Sequence, residues 1–305
     1  MIKNQIKKLS GWSVYFFEKI FKNNKLNIFL FHEITDSPSE FQKKKNIFHT
    51  QNDFKSIINW ISNTYKIISP NDIQKDNPNC AIITFDDGYE GVFKNAIPYM
   101  VERKIPSLHF LNMGPIINHE PNIVSKVEYL SIYSESFKDF IFKKNINNPI
   151  YEITPQIFDE YLKSNFVEND DINKYQGRLV SSDILEEYSN NEFVYYGNHL
   201  YDHWNIVNLS MKEIEKFYFK NREILKKYKN FLDIFSFTHG VPTKNFSKSN
   251  LDQIRSFKPS YVFYSSGGIK KYCYNTYDRT FLSLEDLNNK IFYFRKLRSN
   301  FIFLK

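Results

Sequence analysis

The chain has 305 residues, of which 42% are hydrophobic and 25% charged, and this ordinary globular usage excludes a disordered, collagenous or coiled-coil protein. Its 41 basic residues exceed its 34 acidic ones for a net charge of +7, but arginine stands only at 103, 178, 222, 255, 279, 295 and 298. Nucleic-acid readers favour arginine for bidentate contacts, so this lysine-based surplus argues against nucleic acid as a partner. Cys80 and Cys273 are too far apart to form a metal knuckle or a disulfide framework and read as ordinary buried thiols.

In chain order, residues 1–25 are expected to form a basic amphipathic helix. Ile2, Ile6, Leu9, Trp12, Phe16 and Ile20 recur at helical spacing among Lys3, Lys7, Lys8, Lys19 and Lys22. Such a stripe packs on its own domain or makes peripheral contact with a membrane surface. No run approaches the ~20 apolar residues of a membrane span, and no signal peptide is visible, so the expected compartment is the cytoplasm. Residues 26–305 read as one α/β domain. Strands are expected at 27–31, 81–85, 107–111, 193–196, 234–237, 261–264 and 291–294, with helices at 53–63, 89–103, 211–229 and 247–257. Strands alternating with helices predict a mostly parallel sheet or barrel. Ser210 with Glu213 forms a capping box for the third helix. At about 113–190 the alternation lapses into helical patches, including 124–142 and 156–166. No Gly/Ser-rich or Pro-rich linker bounds this stretch, so it reads as a helical insertion carried on the α/β domain.

Three segments put chemistry just past the end of an expected strand, where parallel α/β folds bind ligands. In Thr84-Phe85-Asp86-Asp87-Gly88-Tyr89, two adjacent carboxylates repel unless one is neutralised. A cation is the usual device, and it leaves the second carboxylate as a base; the other reading is an Asp-capped strand-to-helix turn. In Gly197-Asn198-His199-Leu200-Tyr201-Asp202-His203, two histidines at i and i+4 share the face of a helical turn and can share a metal ion. With one carboxylate they make a His2Asp set that leaves a position open, as catalytic zinc requires. His32, in Phe31-His32-Glu33, follows the first strand. His239 follows the fifth and is expected in the cleft without being a ligand, while His49, His109 and His119 have no pairing.

Thr84-Phe85-Asp86-Asp87-Gly88 together with Gly197-Asn198-His199 through His203 resembles the polysaccharide deacetylase family of carbohydrate esterases, the NodB homology domain. The resemblance covers roughly residues 26–280. It implies a distorted (β/α) barrel with fewer than eight strands, Asp86 as catalytic base, and Asp87, His199 and His203 as ligands of one divalent metal ion. That ion is typically Zn2+, although Co2+, Ni2+, Mn2+ or Fe2+ also serve. Many members carry the acid histidine in a C-terminal Leu-x-His motif, yet no histidine follows His239 here. The poly-N-acetylglucosamine deacetylases instead carry it near the N-terminus after a tyrosine, a context that Phe31-His32 resembles, and this makes His32 the candidate acid. Leu200 replaces the usual Ser or Thr, and Thr238-His239-Gly240 stands where Pro-Tyr-Gly is common. The His239 backbone N–H can still serve an oxyanion, because that role does not depend on the side chain. Tyr89 is counted with it on the substrate side. Arg279, in Tyr277-Asp278-Arg279-Thr280-Phe281, resembles a C-terminal arginine of several members that would orient Asp86, the other reading being a surface arginine.

The implied function is metal-dependent removal of N-acetyl groups from an amino sugar of a surface polysaccharide or its precursor. The alternatives are a deformylase or deacetylase of a lipid-linked amino sugar, or a metal-free carbohydrate-binding pseudoenzyme. A retaining glycosidase is disfavoured, because adjacent acids on one turn do not span a glycosidic bond.

Overall fold

The computed structural model describes residues 5, 7, 10–13, 26–73, 77–266, 271–273 and 275–293. Its centre is a ring of parallel strands. β1 (Asn27–Phe31), β2 (Cys80–Phe85), β3 (Ser107–Leu111), β4 (Val194–Asn198), β5 (Phe231–Ser236) and β6 (Tyr261–Tyr264) pair side by side in that order. One C-terminal stretch closes the circuit: β7 (Thr276–Asp278) pairs with β6, and β8 (Thr280–Phe281) pairs with β1, both parallel. Arg279 is the only residue between them, and its N–H still donates to Tyr264 O at 2.8 Å. The chain therefore leaves one neighbour and joins the other at Arg279, giving a distorted (β/α) barrel whose seventh position is split.

The seventh strand position lies at 276–281, and 291–294 is not a strand. Residues 291–293 are helical and residue 294 lies outside the described residues. A short apolar run such as Ile291-Phe292-Tyr293 cannot be told from a buried helical turn by pattern alone. Phe292 packs on the outside of the barrel against Phe29 and Trp60, with ring centroids 5.8 and 5.7 Å away.

Strands β1, β2 and β3 are buried along their whole length, because helices cover the outside while side chains fill the inside. Helix Gln51–Thr64 buries Phe54, Ile57, Ile58 and Ile61, spaced to share one face, and Thr50 caps it. Helix Met211–Leu225 opens with the expected Ser210–Glu213 capping box. The stretch expected as one helix over 89–103 contains a π-helical turn, Val92–Ala96, before Ile97–Glu102. Pro98 has no N–H to donate back to residue 94, so the regular ladder cannot run through this point.

Between β3 and β4 lie the helices Met113–Asn118, Ile123–Tyr133, Glu135–Lys143, Pro149–Glu152, Pro155–Leu162, Asn169–Gln176 and Ser182–Tyr188. They share a core with the loop after β4: Val124, Phe137, Ile153 and Phe158 cluster with Leu200, Tyr201, Trp204 and Ile206. Asn208 Nδ2 adds hydrogen bonds to Ile150 O at 2.9 Å and Ile153 O at 3.0 Å. Of the helix expected over 1–25, residues 5, 7 and 10–13 are described and helical, with Trp12 beneath Lys290 Nζ at 5.3 Å, and the rest lies outside the described residues. Cys80 is a buried free thiol, and the Cys273 side chain lies outside the described residues.

The mouth of the barrel is held by buried amides. Asn221, on the helix after β4, donates to Leu111 O and Asn198 Oδ1 and accepts from Met113 N, each at 2.8 Å. Asn198 in turn donates to Tyr218 O at 3.0 Å and accepts from Leu200 N at 3.0 Å. Replacing Asn221 by Leu strips partners from a buried N–H and a buried C=O at once. Asn221→Leu is expected to destabilise the fold by ~2–4 kcal/mol in urea unfolding, against ~1 kcal/mol for a typical substitution.

Candidate active site

Every candidate residue falls at the C-terminal mouth of the barrel. His32 follows β1, Asp86 and Asp87 follow β2, His199 follows β4, His239 lies three residues past β5, Ser265 follows β6, and Arg279 separates β7 from β8. A cavity of about 440 Å³ opens there, with His32, Asp86, Asp87, Tyr89, His199, His203 and His239 lining it. Its walls include Phe41, Lys45 and Ile47, together with Val124, Ile150 and Tyr151 from the insertion.

Asp86 is held by Arg279. The guanidinium donates from both terminal nitrogens to the two carboxylate oxygens at 2.6 Å, and also to Ser265 Oγ at 3.0 Å. Arg279 is completely buried, so it is not a surface arginine, and its guanidinium carbon lies 5.1 Å from the centre of the Phe110 ring. Burial is the largest influence and raises the Asp86 carboxyl, but the charge and hydrogen bonds of Arg279 together with the nearby His199 and His32 leave the group below the usual carboxylate range.

Asp87 faces the histidine pair. His203 Nε2 lies 2.9 Å from Asp87 Oδ1 and His199 Nε2 lies 3.5 Å from it. Burial pushes this carboxyl up as well, and the two imidazoles, His203 foremost, bring it well below the usual range. Despite those approaches Asp87 Oδ1 is buried with no hydrogen-bond partner, because the rings do not point an N–H along the line to it. One ligand atom from each of Asp87, His199 and His203 lies within 4.8 Å of the others. His199 Nδ1 is 2.9 Å from Ser236 O; a carbonyl only accepts, so Nδ1 carries the proton and Nε2 turns its lone pair to the site. An N2O set with an orphaned buried carboxylate oxygen fits a divalent transition-metal ion.

The geometry that joins the pair differs from the expected helical turn. Residues 199–205 form an irregular loop in which Leu200 has φ 62° and His203 has φ 50°, both left-handed. Asn112 Nδ2 holds the loop by donating to His199 O and, at 3.0 Å, to Leu200 O. The two carboxylates are not helix caps either: Asp87 has φ 71° and Gly88 has φ 78°, and the N–H of Glu90 donates to Arg178 O at 2.9 Å. Asp87 is thereby turned inward, and Gly88 supplies the second left-handed residue without steric cost.

His32 is half-buried beside the same charges. Burial lowers its pKa, and the nearby Asp87 and Asp86 carboxylates counter this only in part. Its Nδ1 has no hydrogen-bond partner. His239 lies with its ring 5.2 Å from that of His203, and burial pushes it down to about 3, with His203 adding to the effect. Tyr89 is fully buried with an unpartnered hydroxyl at the cavity. Among the remaining histidines, His109 stacks on Phe85 in the core with centroids 4.9 Å apart, and His49 donates to Leu282 O at 2.7 Å. Sequence reasoning missed Ser265, Asn112, Lys45 and Tyr151. Ser265 and Asn112 each directly follow a strand, which was a usable signal; Lys45 and Tyr151 carry none.

A nearly closed parallel barrel with paired carboxylates and paired histidines at its mouth matches a NodB-like (β/α) barrel. Residues 73–253 match the family model described as polysaccharide deacetylase, and the chain belongs to that family. Among curated proteins no match is found. Solved structures of similar fold include IcaB from Ammonifex degensii, with TM-score 0.58 and 13% identity over 90% of this chain and 98% of the other. A de-N-acetylase from Aggregatibacter actinomycetemcomitans has TM-score 0.57 and 12% identity over 88% and 100%. A polysaccharide deacetylase from Bacillus cereus has TM-score 0.56 and 14% identity over 88% and 69%.

Removing one member of the Asp86–Arg279 pair strands the other in the interior. In metal-free protein, Arg279→Met is expected to lose ~3–5 kcal/mol of unfolding free energy in urea, and adding Asp86→Asn to recover more than half of it. A double variant no more stable than Arg279→Met would show that the pair is not what the single substitution disturbs.

Proposed function

We propose that this protein is a metal-dependent N-deacetylase acting on an amino sugar of a surface polysaccharide or its precursor. The observation that carries the reading is the convergence in one cavity of the Asp87–His199–His203 ligand set, an ionised Asp86 clamped by Arg279, and His32. Zinc suits two imidazoles and one carboxylate best, with other divalent transition ions as substitutes. When bound, the cation supplies a polarised acyl carbonyl and a water whose pKa is brought to about 7.

The chain's own groups do the rest. Asp86 keeps lone pairs outside its bidentate bonds and accepts the proton of the attacking water. The backbone N–H of His239 donates to the oxyanion that develops at the acyl carbon. His32 gives a proton to the leaving nitrogen as the carbon–nitrogen bond breaks, releasing a free amino sugar and a carboxylate. The apolar wall formed by Phe41, Ile47, Val124 and Ile150 favours, as a second reading, a lipid-linked amino sugar bearing an acetyl or formyl group. On either reading the proposed compartment is the cytoplasm; the described part of the basic segment at 1–25 packs on its own domain, with Gly11 and Trp12 against Lys290. No helix among the described residues is long and apolar enough to cross a membrane.

Elemental analysis of purified protein is expected to find about one zinc or similar ion per chain, lost in Asp87→Asn and His199→Ala with the fold retained. Asp86→Asn is expected to keep the ion and to lose ~10²–10⁴-fold in acetate release from N-acetylated sugar oligomers. An active Asp86→Asn enzyme, or metal retained in His199→Ala, would sink the assignment.

A further inference from the structure

Glu33 directly follows the candidate acid yet does not line the cavity, and it is a buried carboxyl that the mechanism leaves unused. At this point the chain departs from the barrel: Glu33–Ile34 pairs with Phe48–His49 instead of a barrel strand, and Glu33 N donates to Ile47 O at 3.0 Å. The carboxyl gathers three pieces of chain. Oε1 accepts from Ile34 N at 2.8 Å, Oε2 accepts from Gln42 Nε2 at 3.2 Å, and the backbone of Gly91 packs directly against Oε1. A Cβ at Gly91 would overlap Glu33 Oε1 and come within 2.6 Å of Ile34 O, so only glycine permits the approach. From the same segment Asn95 Nδ2 donates to Ile34 O at 2.8 Å.

Each piece leads to the site. Gly91 lies at the start of the helical segment that directly follows the turn carrying Asp86 and Asp87. Gln42 completes the capping box of helix Glu40–Lys45, which carries Phe41 and Lys45 into the cavity wall. Ser39, the cap of that helix, donates to Gln176 O at 2.8 Å, and Gln176 Oε1 accepts from Asn122 N at 2.6 Å on the insertion side of the cavity. His32 has no such anchor of its own. Its Nδ1 lacks a hydrogen-bond partner and its ring meets Phe281 at 6.4 Å, so its place depends on the backbone to either side. On one side Phe31 O accepts from Asp86 N at 3.0 Å, and on the other stands Glu33.

We propose that Glu33 is a positioning residue, whose carboxyl ties the backbone carrying His32 to the turn carrying Asp86 and Asp87 and so fixes the proton donor relative to the base. The proposal rests on the deacetylase reading above. Burial pushes the Glu33 carboxyl up to about 7, so the neutral, nearly isosteric Gln is the conservative replacement.

The test compares Glu33→Ala and Glu33→Gln with the native, zinc-loaded full chain on two substrates. An N-acetylated amino-sugar oligomer has a nitrogen that must be protonated to leave, whereas p-nitrophenyl acetate releases a phenolate that needs no proton. Misplacing the acid is expected to cost Glu33→Ala roughly 10²-fold in kcat on the amide, with zinc content unchanged and ester turnover within about threefold of native. Glu33→Gln is expected to recover to within about tenfold of native on the amide, on the same scale of geometric loss. Equal losses on both substrates, loss of zinc, or no loss at all, against an active native enzyme, overturns the positioning role alone. A native enzyme that holds zinc but releases no acetate from the amide overturns the deacetylase reading, and this role with it.

Discussion

The pairing of Arg279 with Asp86 is the interaction on which both barrel and site depend. Closing a parallel ring requires a last strand that can reach its first and sixth neighbours, and here residues 276–281 do so only by breaking at Arg279. The break frees that side chain from the strand's alternation and sends it across the mouth to Asp86, with Phe110 beneath and Ser265 beside it. A buried ion pair is weak evidence of stability by itself, because desolvation offsets much of the attraction. Its effect here is on conformation: a fully buried arginine has to meet its carboxylate, and among the described residues that condition is met with the ring closed.

Once Asp86 is fixed, the neighbouring Asp87 has to turn the other way, and the backbone bears the strain. Asp87, Leu200, His203 and His239 all adopt left-handed φ values, which non-glycine residues enter at a cost. The surroundings over-determine them. Thr238 Oγ1 donates to Trp204 O at 2.5 Å, Asn112 holds the carbonyls of His199 and Leu200, and Asn198 and Asn221 tie the two strand ends beneath. Leu200 is 1% exposed and packs in the cluster shared with the insertion, so an apolar residue suits that position even though a hydroxyl residue is usual in the family.

These details explain which features the sequence displays and which it hides. The strands at 27–31 and 261–264 show because a strand buried on both faces is a near-continuous apolar run, and 107–111 shows the same pattern broken only by the buried His109. The carboxylate and histidine motifs are visible for a related reason, since polar chemistry interrupts the pattern where each strand stops. The closing strand is hidden, because Asp278-Arg279-Thr280 puts three polar residues in the middle of Thr276–Phe281 and looks like a loop, whereas Ile291-Phe292-Tyr293 has strand-like composition and is helical. The histidine pair reads as i, i+4 on a helix, yet left-handed turns bring it together, and no spacing rule contains that information. Backbone partners such as Ser236 O for His199 have no side-chain signature at all.

The barrel and the insertion contribute differently to the site. Every group that can hold a metal or move a proton stands on a barrel loop, where register between neighbouring strands sets its position to within a hydrogen bond. The insertion contributes Val124, Ile150 and Tyr151, which shape the cavity without any charge. It is nevertheless not an independent appendage, since its apolar residues share one core with Leu200, Tyr201 and Trp204, on either side of His203. A rearrangement of the insertion would therefore reach the loop carrying His199 and His203 through packing, even though no insertion residue belongs to the Asp87–His199–His203 cluster. The shape of the cavity and the placing of the Asp87–His199–His203 cluster are coupled in this chain by a common hydrophobic core, so changes to the cavity wall that leave Ile153 and Phe158 in place are those the cluster can absorb.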